Sequence, residues 1–214
     1  MFLSSIRKWL ERPVRFDYVG EYLLGNAKVL DVGCGDKSPE VTLSYYPSVE
    51  YSGIDNRKVN TGVKTKKFFL CDVEGNDLKE IPNNEYNVLL LSHIIEHVSD
   101  GERLLSVLAH KLKKGGIIYV ETPTERSLRF PSWYGTLNFF DDPTHKKIYA
   151  VKAIESILRS SGFSIIGSGT RRNLKRILLS PLYAVLSLIR DKRVNATVVW
   201  DLVGFAGYVL AQKQ

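Results

Sequence analysis

The sequence predicts an α/β protein with a doubly wound, mostly parallel sheet. Between Lys28 and Glu121, short apolar runs alternate with polar or helix-patterned segments. Glycines and carboxylates gather where those runs end. Amphipathic spacing falls between the runs, not inside them. Strand and helix in alternation imply parallel strands joined by right-handed crossovers, with both faces of the sheet covered.

The elements follow in order. Phe2, Ile6, Trp9 and Leu10 recur at helical spacing until Pro13 stops them, so residues 1–27 read as a helical cover. Val29–Val32 is the first strand. Ser38-Pro39-Glu40 reads as an N-cap followed by proline at the first helical position. Tyr51–Ile54, Phe68–Cys71 and Val88–Leu91 are the next three strands. Leu104, Leu105, Leu108 and Leu112 line one face of a helix that Gly115-Gly116 is expected to end. Ile117–Val120 is the fifth strand. Residues 123–147 hold Phe130, Trp133, Tyr134, Phe139 and Phe140 without a period, and read as a lid over the strand ends. Tyr149–Ser161 is a helix closed by Gly162, Phe163–Ile166 a strand, and Tyr208–Ala211 a final strand completing the part 148–214. The whole, 1–214, is expected to be one domain.

Composition narrows the class. With 214 residues, 44% apolar and 25% charged, the chain is no disordered, collagen-like or disulfide-scaffold sequence. Thirty Lys/Arg against 23 Asp/Glu give +7, which favours anionic partners without selecting one. No RNA-binding module is recognisable, so nucleic acid is not favoured. Two lone cysteines, Cys34 and Cys71, suggest a reducing, cytoplasmic compartment. Charge at Arg7 and Lys8 comes too early for a secretory signal. No segment reaches the ~18 consecutive apolar residues of a membrane span. Residues 171–193 carry seven Lys/Arg and one Asp around the apolar run Ile177–Ile189, which suits a packed, solvated helix or peripheral contact with an anionic membrane surface.

The chemistry-bearing signals sit at strand ends. Val29-Leu30-Asp31-Val32-Gly33-Cys34-Gly35 runs a strand into a glycine turn, where backbone N–H groups can approach a ligand closely. Ser38 stands where a nicotinamide-type fingerprint needs glycine or alanine, which argues against a dinucleotide. Asp55 ends the second strand, where a carboxylate can accept both ribose hydroxyls, and Asp72 follows the third.

With Ser92-His93-Ile94-Ile95-Glu96-His97-Val98, Leu112-Lys113-Lys114-Gly115-Gly116 and Ser161-Gly162-Phe163, these motifs resemble the class I S-adenosylmethionine (SAM)-dependent methyltransferases over about Lys28 to Ile166. The resemblance implies a Rossmann-like seven-stranded sheet whose last strand is antiparallel, with 28–122 as the SAM-binding core. It implies that Gly33 and Gly35 line the methionine part, Asp55 holds the ribose and Asp72 lies beside adenine. Ser92 and His93 would border the sulfonium and the acceptor. Asp31, Cys34, Asn56 and Val73 lie at the same strand tips and join the expected cofactor set. Lys37 and Asn87 depart from the family pattern, which often has glycine and an acid there.

Asp141-Asp142-Pro143-Thr144-His145 is similar to segments of methyltransferases that look like those of surface-polysaccharide pathways. His145 is the expected base, oriented by Asp142, for a small-molecule hydroxyl acceptor such as a sugar or a lipid-linked precursor. Two other readings stand beside this one: a SAM-binding protein without transfer activity, and a zinc hydrolase using His93, Glu96 and His97, which match H-x-x-E-H literally. Because the fourth strand runs straight into His93, no metal site is expected.

Overall fold

The computed structural model describes residues 8–75, 77–133 and 137–214. Seven strands, β1 (Lys28–Val32), β2 (Glu50–Asp55), β3 (Lys67–Leu70), β4 (Tyr86–Ser92), β5 (Leu112–Pro123), β6 (Phe163–Thr170) and β7 (Ala206–Lys213), form one sheet ordered β3-β2-β1-β4-β5-β7-β6. Neighbours from β3 to β5 are parallel; β7 is antiparallel to both β5 and β6. The chain winds outward from β1 to β3 and then returns to β4, leaving a crevice at the carboxyl ends of β1 and β4.

Helices cover both faces. They are α1 (Phe16–Val19), α2 (Lys37–Tyr45), α3 (Gly101–Ala109), α4 (Val151–Ser160), α5 (Leu174–Leu178), α6 (Ser180–Asp191) and α7 (Trp200–Val203). Leu30, Leu89, Leu91 and Ile118 pack with Leu105 and Leu108 of α3 and Leu158 of α4. Val29, Val88, Leu90 and Tyr119 face the other way, onto Phe16, Val19 and Leu23. With both faces buried, successive residues of the central strands are mostly apolar, Val88–Leu91 most completely, with Asp31 and Ser52 the buried polar exceptions in β1 and β2.

Local expectations needed correction. Asp36, not Ser38, occupies the N-cap position of α2, and Ser38 turns its hydroxyl to Asp31. α3 ends at Ala109, so Leu112 begins β5 and Gly115-Gly116 lie inside that strand. Gly115 has φ +76°, and a Cβ on Gly116 would meet the Lys113 carbonyl at 2.9 Å. These glycines therefore serve an irregular strand entry, where β4–β5 pairing slips between Tyr86 and Val88.

Residues 8–11 are helical and end before Pro13; Phe2, Ile6 and Tyr134 lie outside the described residues. Within 123–147, the described aromatic and apolar side chains divide between core and surface. Leu137 packs with Ala196, Phe205 and Ala206, and Phe139 is buried, while Phe140 is 72% exposed. Among the described residues, no helix is long and apolar enough to cross a membrane.

Candidate active site

Two cavities open at the strand tips. One, of ≈ 390 Å³, lies across the ends of β1, β2 and β3, lined by Gly33, Asp55, Asn56, Cys71, Asp72, Val73, Ile94, His97 and Thr144 among others. The second, of ≈ 280 Å³, lies beyond β4 and β5, lined by Arg15, Ser92, His93, Glu121, Arg171, Arg176 and Trp200 among others.

The first cavity depends on the turn after β1. Gly33 N–H and Cys34 N–H donate to the Ile54 carbonyl at 2.8 and 3.0 Å. Gly35 N–H donates to Asp55 Oδ2 at 2.9 Å, and Arg57 N–H to Asp55 Oδ1 at 3.2 Å. Gly33 has φ +68°, and a Cβ there would sit 1.8 Å from Ile94 Cδ1, so only glycine leaves the turn open. Asp31 and Cys34 belong to the support beneath. Asp31 is buried and accepts from Tyr51 Oη at 2.6 Å and from the Ser38 hydroxyl. Burial, with Asp31 and Asp55 nearby, pushes the Cys34 thiol up to about 12, leaving it inert at neutral pH.

His93 carries the other cavity. It follows β4 at φ +58°, uncommon for a side-chain-bearing residue, and its N–H donates to the Glu121 carbonyl at 2.8 Å. Its Nδ1 lies 3.2 Å from Glu96 Oε1 and its Nε2 3.0 Å from Glu121 Oε1. Burial works against the imidazolium, but bonds to Glu121 and Glu96 outweigh it and raise His93 to about 9. Glu121 is disfavoured as an anion by burial, yet Arg171 at 2.8 Å and His93 hold it down at about 2. Arg171 also pairs with buried Asp201 at 3.3 Å. The helical zinc pattern is therefore not formed, since both ring nitrogens of His93 are taken by carboxylates.

A third group assembles from distant segments. Lys146 and Lys147 N–H donate to the Glu96 carbonyl at 2.8 and 3.2 Å, pinning residues 142–147 onto the turn after β4. The His97 and His145 rings come within 4.7 Å. With its carbonyl, Asp142 accepts from His145 N–H at 3.2 Å. Its carboxylate accepts from Thr144 Oγ1 at 2.6 Å, and Thr144 Oγ1 lies 2.9 Å from His97 Nδ1. The hydroxyl proton goes to Asp142, so His97 Nδ1 donates. His145 Nδ1 donates to the Phe139 carbonyl at 2.6 Å. Both rings keep Nε2 as an acceptor. Donor atoms of Glu96, His97 and His145 lie within 4.8 Å of one another, a set able to hold a metal ion. Glu121, Arg171, Asp201 and Arg15 were not expected from the sequence. The one signal was Glu121 within an apolar strand, which demanded a buried partner.

A family model described as a methyltransferase domain matches residues 6–167. The chain belongs to the methyltransferase-domain family. Among curated proteins it is 26% identical over 180 residues to the mitochondrial ubiquinone biosynthesis O-methyltransferase of Homo sapiens, using 75% of this chain and 47% of that one. It thus spans about half the length of the human relative. It is 25% identical over 204 residues to the ubiquinone biosynthesis O-methyltransferase of Marinobacter nauticus, covering 86% of this chain and 81% of the relative. In fold it is similar to a solved SAM-dependent methyltransferase from Archaeoglobus fulgidus, with TM-score 0.58, 23% identity and coverage of 96% and 94% of the two chains. The mixed seven-stranded sheet of this methyltransferase domain is the expected one.

Proposed function

We propose that this methyltransferase uses SAM to methylate a hydroxyl of a small-molecule acceptor. The observation that carries this reading is the cavity formed jointly by Gly33, Asp55 and Asp72 at three neighbouring strand tips. The residues fit the cofactor. Asp55 would hold the ribose through its carboxylate, Asn56, Asp72 and Val73 would border the base, and the open turn at Gly33 and Gly35 would pass the amino-acid chain. Beyond the turn, Ser92 Oγ and Arg15 Nε are buried without a hydrogen-bond partner among the described residues, and both residues line the second cavity. When bound, the cofactor supplies a methyl on a sulfonium whose leaving group departs neutral, so no acid is needed there. The protein orients the acceptor in line, excludes water and takes its proton. His145 Nε2 is the assigned acceptor of that proton, with His97 beside it.

The relatives' O-methyltransferase names support an oxygen acceptor. The sugar or lipid-linked acceptor rests on the 141–145 segment. Two buried free cysteines support a cytoplasmic setting, and the packing of Phe16, Val19 and Leu23 against the strands and of Leu137 against Ala206 supports one domain. A second reading has Glu96, His97 and His145 holding a divalent cation beside the acceptor, favoured by their clustering.

Calorimetry with S-adenosylhomocysteine, and with NADH as control, tests the cofactor. Heat with the former alone is expected; no heat with it would overturn the reading. Bound cofactor without turnover on phenol, catechol and sugar acceptors would leave a SAM-binding protein without transfer activity.

A further inference from the structure

The α5–α6 segment, two helices separated by Leu179 alone, is built inside out. Leu182, Val185, Leu186 and Ile189 fall at i, i+3, i+4 and i+7, one helical stripe, and all are exposed; Leu178 of α5 extends it. The opposite stripe, Ser180, Ala184, Ser187 and Asp191, faces the protein. Ser187 is the buried residue of α6, donating to the Arg193 carbonyl at 2.9 Å and accepting from Asn195 N–H at 3.0 Å. A helix on a water-soluble surface shows the reverse arrangement. Exposed Arg172, Arg190, Lys192 and Arg193 flank the stripe, and residues 171–193 hold seven Lys/Arg against one Asp.

We propose that the outer face of α5–α6 docks on an anionic lipid bilayer. Apolar side chains enter the acyl boundary while the flanking cations meet acidic headgroups. Charge favours lipid over a second copy of this chain, because self-association would bring two cationic surfaces together. With 12 residues α6 spans roughly 18 Å. It lies in the interface and does not cross it.

The inner side of the same element reaches the second cavity. Arg171, just before α5, pairs with Glu121 at 2.8 Å, and Arg176 of α5 approaches Asp201 at 3.7 Å. Docking would set that cavity's mouth beside the membrane, where a lipid-borne acceptor is delivered. This link to catalysis rests on the methyl-transfer reading; the membrane contact does not.

The test is flotation of the full chain with phosphatidylcholine vesicles, with and without phosphatidylglycerol, beside calorimetry with S-adenosylhomocysteine. The chain should float only with the anionic vesicles and be released by high salt. Val185→Gln combined with Ile189→Gln should weaken partitioning at least about tenfold, with homocysteine-product binding unchanged. Absence of flotation, or equal flotation of the double variant, overturns the proposal. So does a concentration-dependent dimer in ultracentrifugation that the same substitutions dissociate while vesicles fail to bind. Loss of cofactor heat with flotation intact would sink the enzyme reading and leave the docking surface standing.

Discussion

Gly33→Ala separates the turn's two constraints. The backbone there has φ +68°, and an added Cβ would lie 1.8 Å from Ile94 Cδ1 and 2.6 Å from its Cγ1. A left-handed conformation costs an L-residue about 1–2 kcal/mol. Displacing Ile94 adds about 1–3 kcal/mol. Together they give a loss of about 2–5 kcal/mol in urea denaturation. The double variant with Ile94→Ala removes the steric part and leaves the backbone part. It should therefore be less destabilised than the sum of the single changes, by an interaction of about 1–3 kcal/mol. Because the cofactor's amino-acid chain is assigned to this turn, Gly33→Ala should also lose at least about tenfold in S-adenosylhomocysteine affinity, or 1.4 kcal/mol. A Gly33→Ala protein within about 0.5 kcal/mol of the parent, binding the product equally well, would refute both the geometry and the assigned route.

Asp55→Asn keeps the side chain's shape but removes its charge. It should weaken product binding by about 1.5–3 kcal/mol in calorimetry and, because its NH2 would face the backbone N–H of Gly35 or Arg57, also cost about 1–3 kcal/mol in denaturant. Chelation followed by desalting should leave turnover and product binding unchanged, because Nε2 of His145 is assigned to the proton; loss of turnover that a divalent ion restores would favour the second reading, with Glu96, His97 and His145 holding a cation. Arg171→Ala strands buried Glu121 and Asp201 and should cost about 3–5 kcal/mol in denaturant. Glu121 lies at about 2 when folded against an ordinary 4.5, so its contribution is present above 4.5 and lost as pH falls toward about 2. Acid denaturation of the parent should show that loss, and Arg171→Ala should flatten it.

Legibility differed between the two halves of the site. The central strands were visible as apolar runs because both faces of the sheet are covered there, so burial is written into consecutive residues such as Val88–Leu91, whereas the edge strand β3 was visible from its apolar run although it is largely exposed. Helix ends were not: Gly115-Gly116 looks like a stop signal, yet it sits in a slipped strand whose cause is pairing with β4, a tertiary fact. The cofactor side was readable because it uses local strand-to-turn chemistry at Gly33, Asp55 and Asp72. Asp31 and Cys34 share those tips but point inward, and side-chain direction at a turn is not encoded in spacing. The acceptor side draws on residues 92–97, 121, 142–147, 171 and 201, which only the topology brings together.

That assembly also assigns proton chemistry. His93 stands nearest the expected transfer point, yet Glu96 and Glu121 hold it protonated to about 9, with both ring nitrogens donating. An imidazolium at neutral pH has no lone pair for an acceptor's proton, so His93 organises charge at the end of β4. The lone pairs of the neutral rings lie elsewhere, at Nε2 of His97, which lines the first cavity, and of His145 beside it, because Thr144 and the Phe139 carbonyl occupy the two Nδ1 atoms. His93→Gln, which can still donate to one carboxylate, should therefore retain turnover to within about tenfold when proton transfer is not removed. His145→Ala should lose about 10²–10⁴-fold in turnover with product binding intact. The reverse ranking in a single-turnover assay would place the base at the end of β4 and overturn this division of roles.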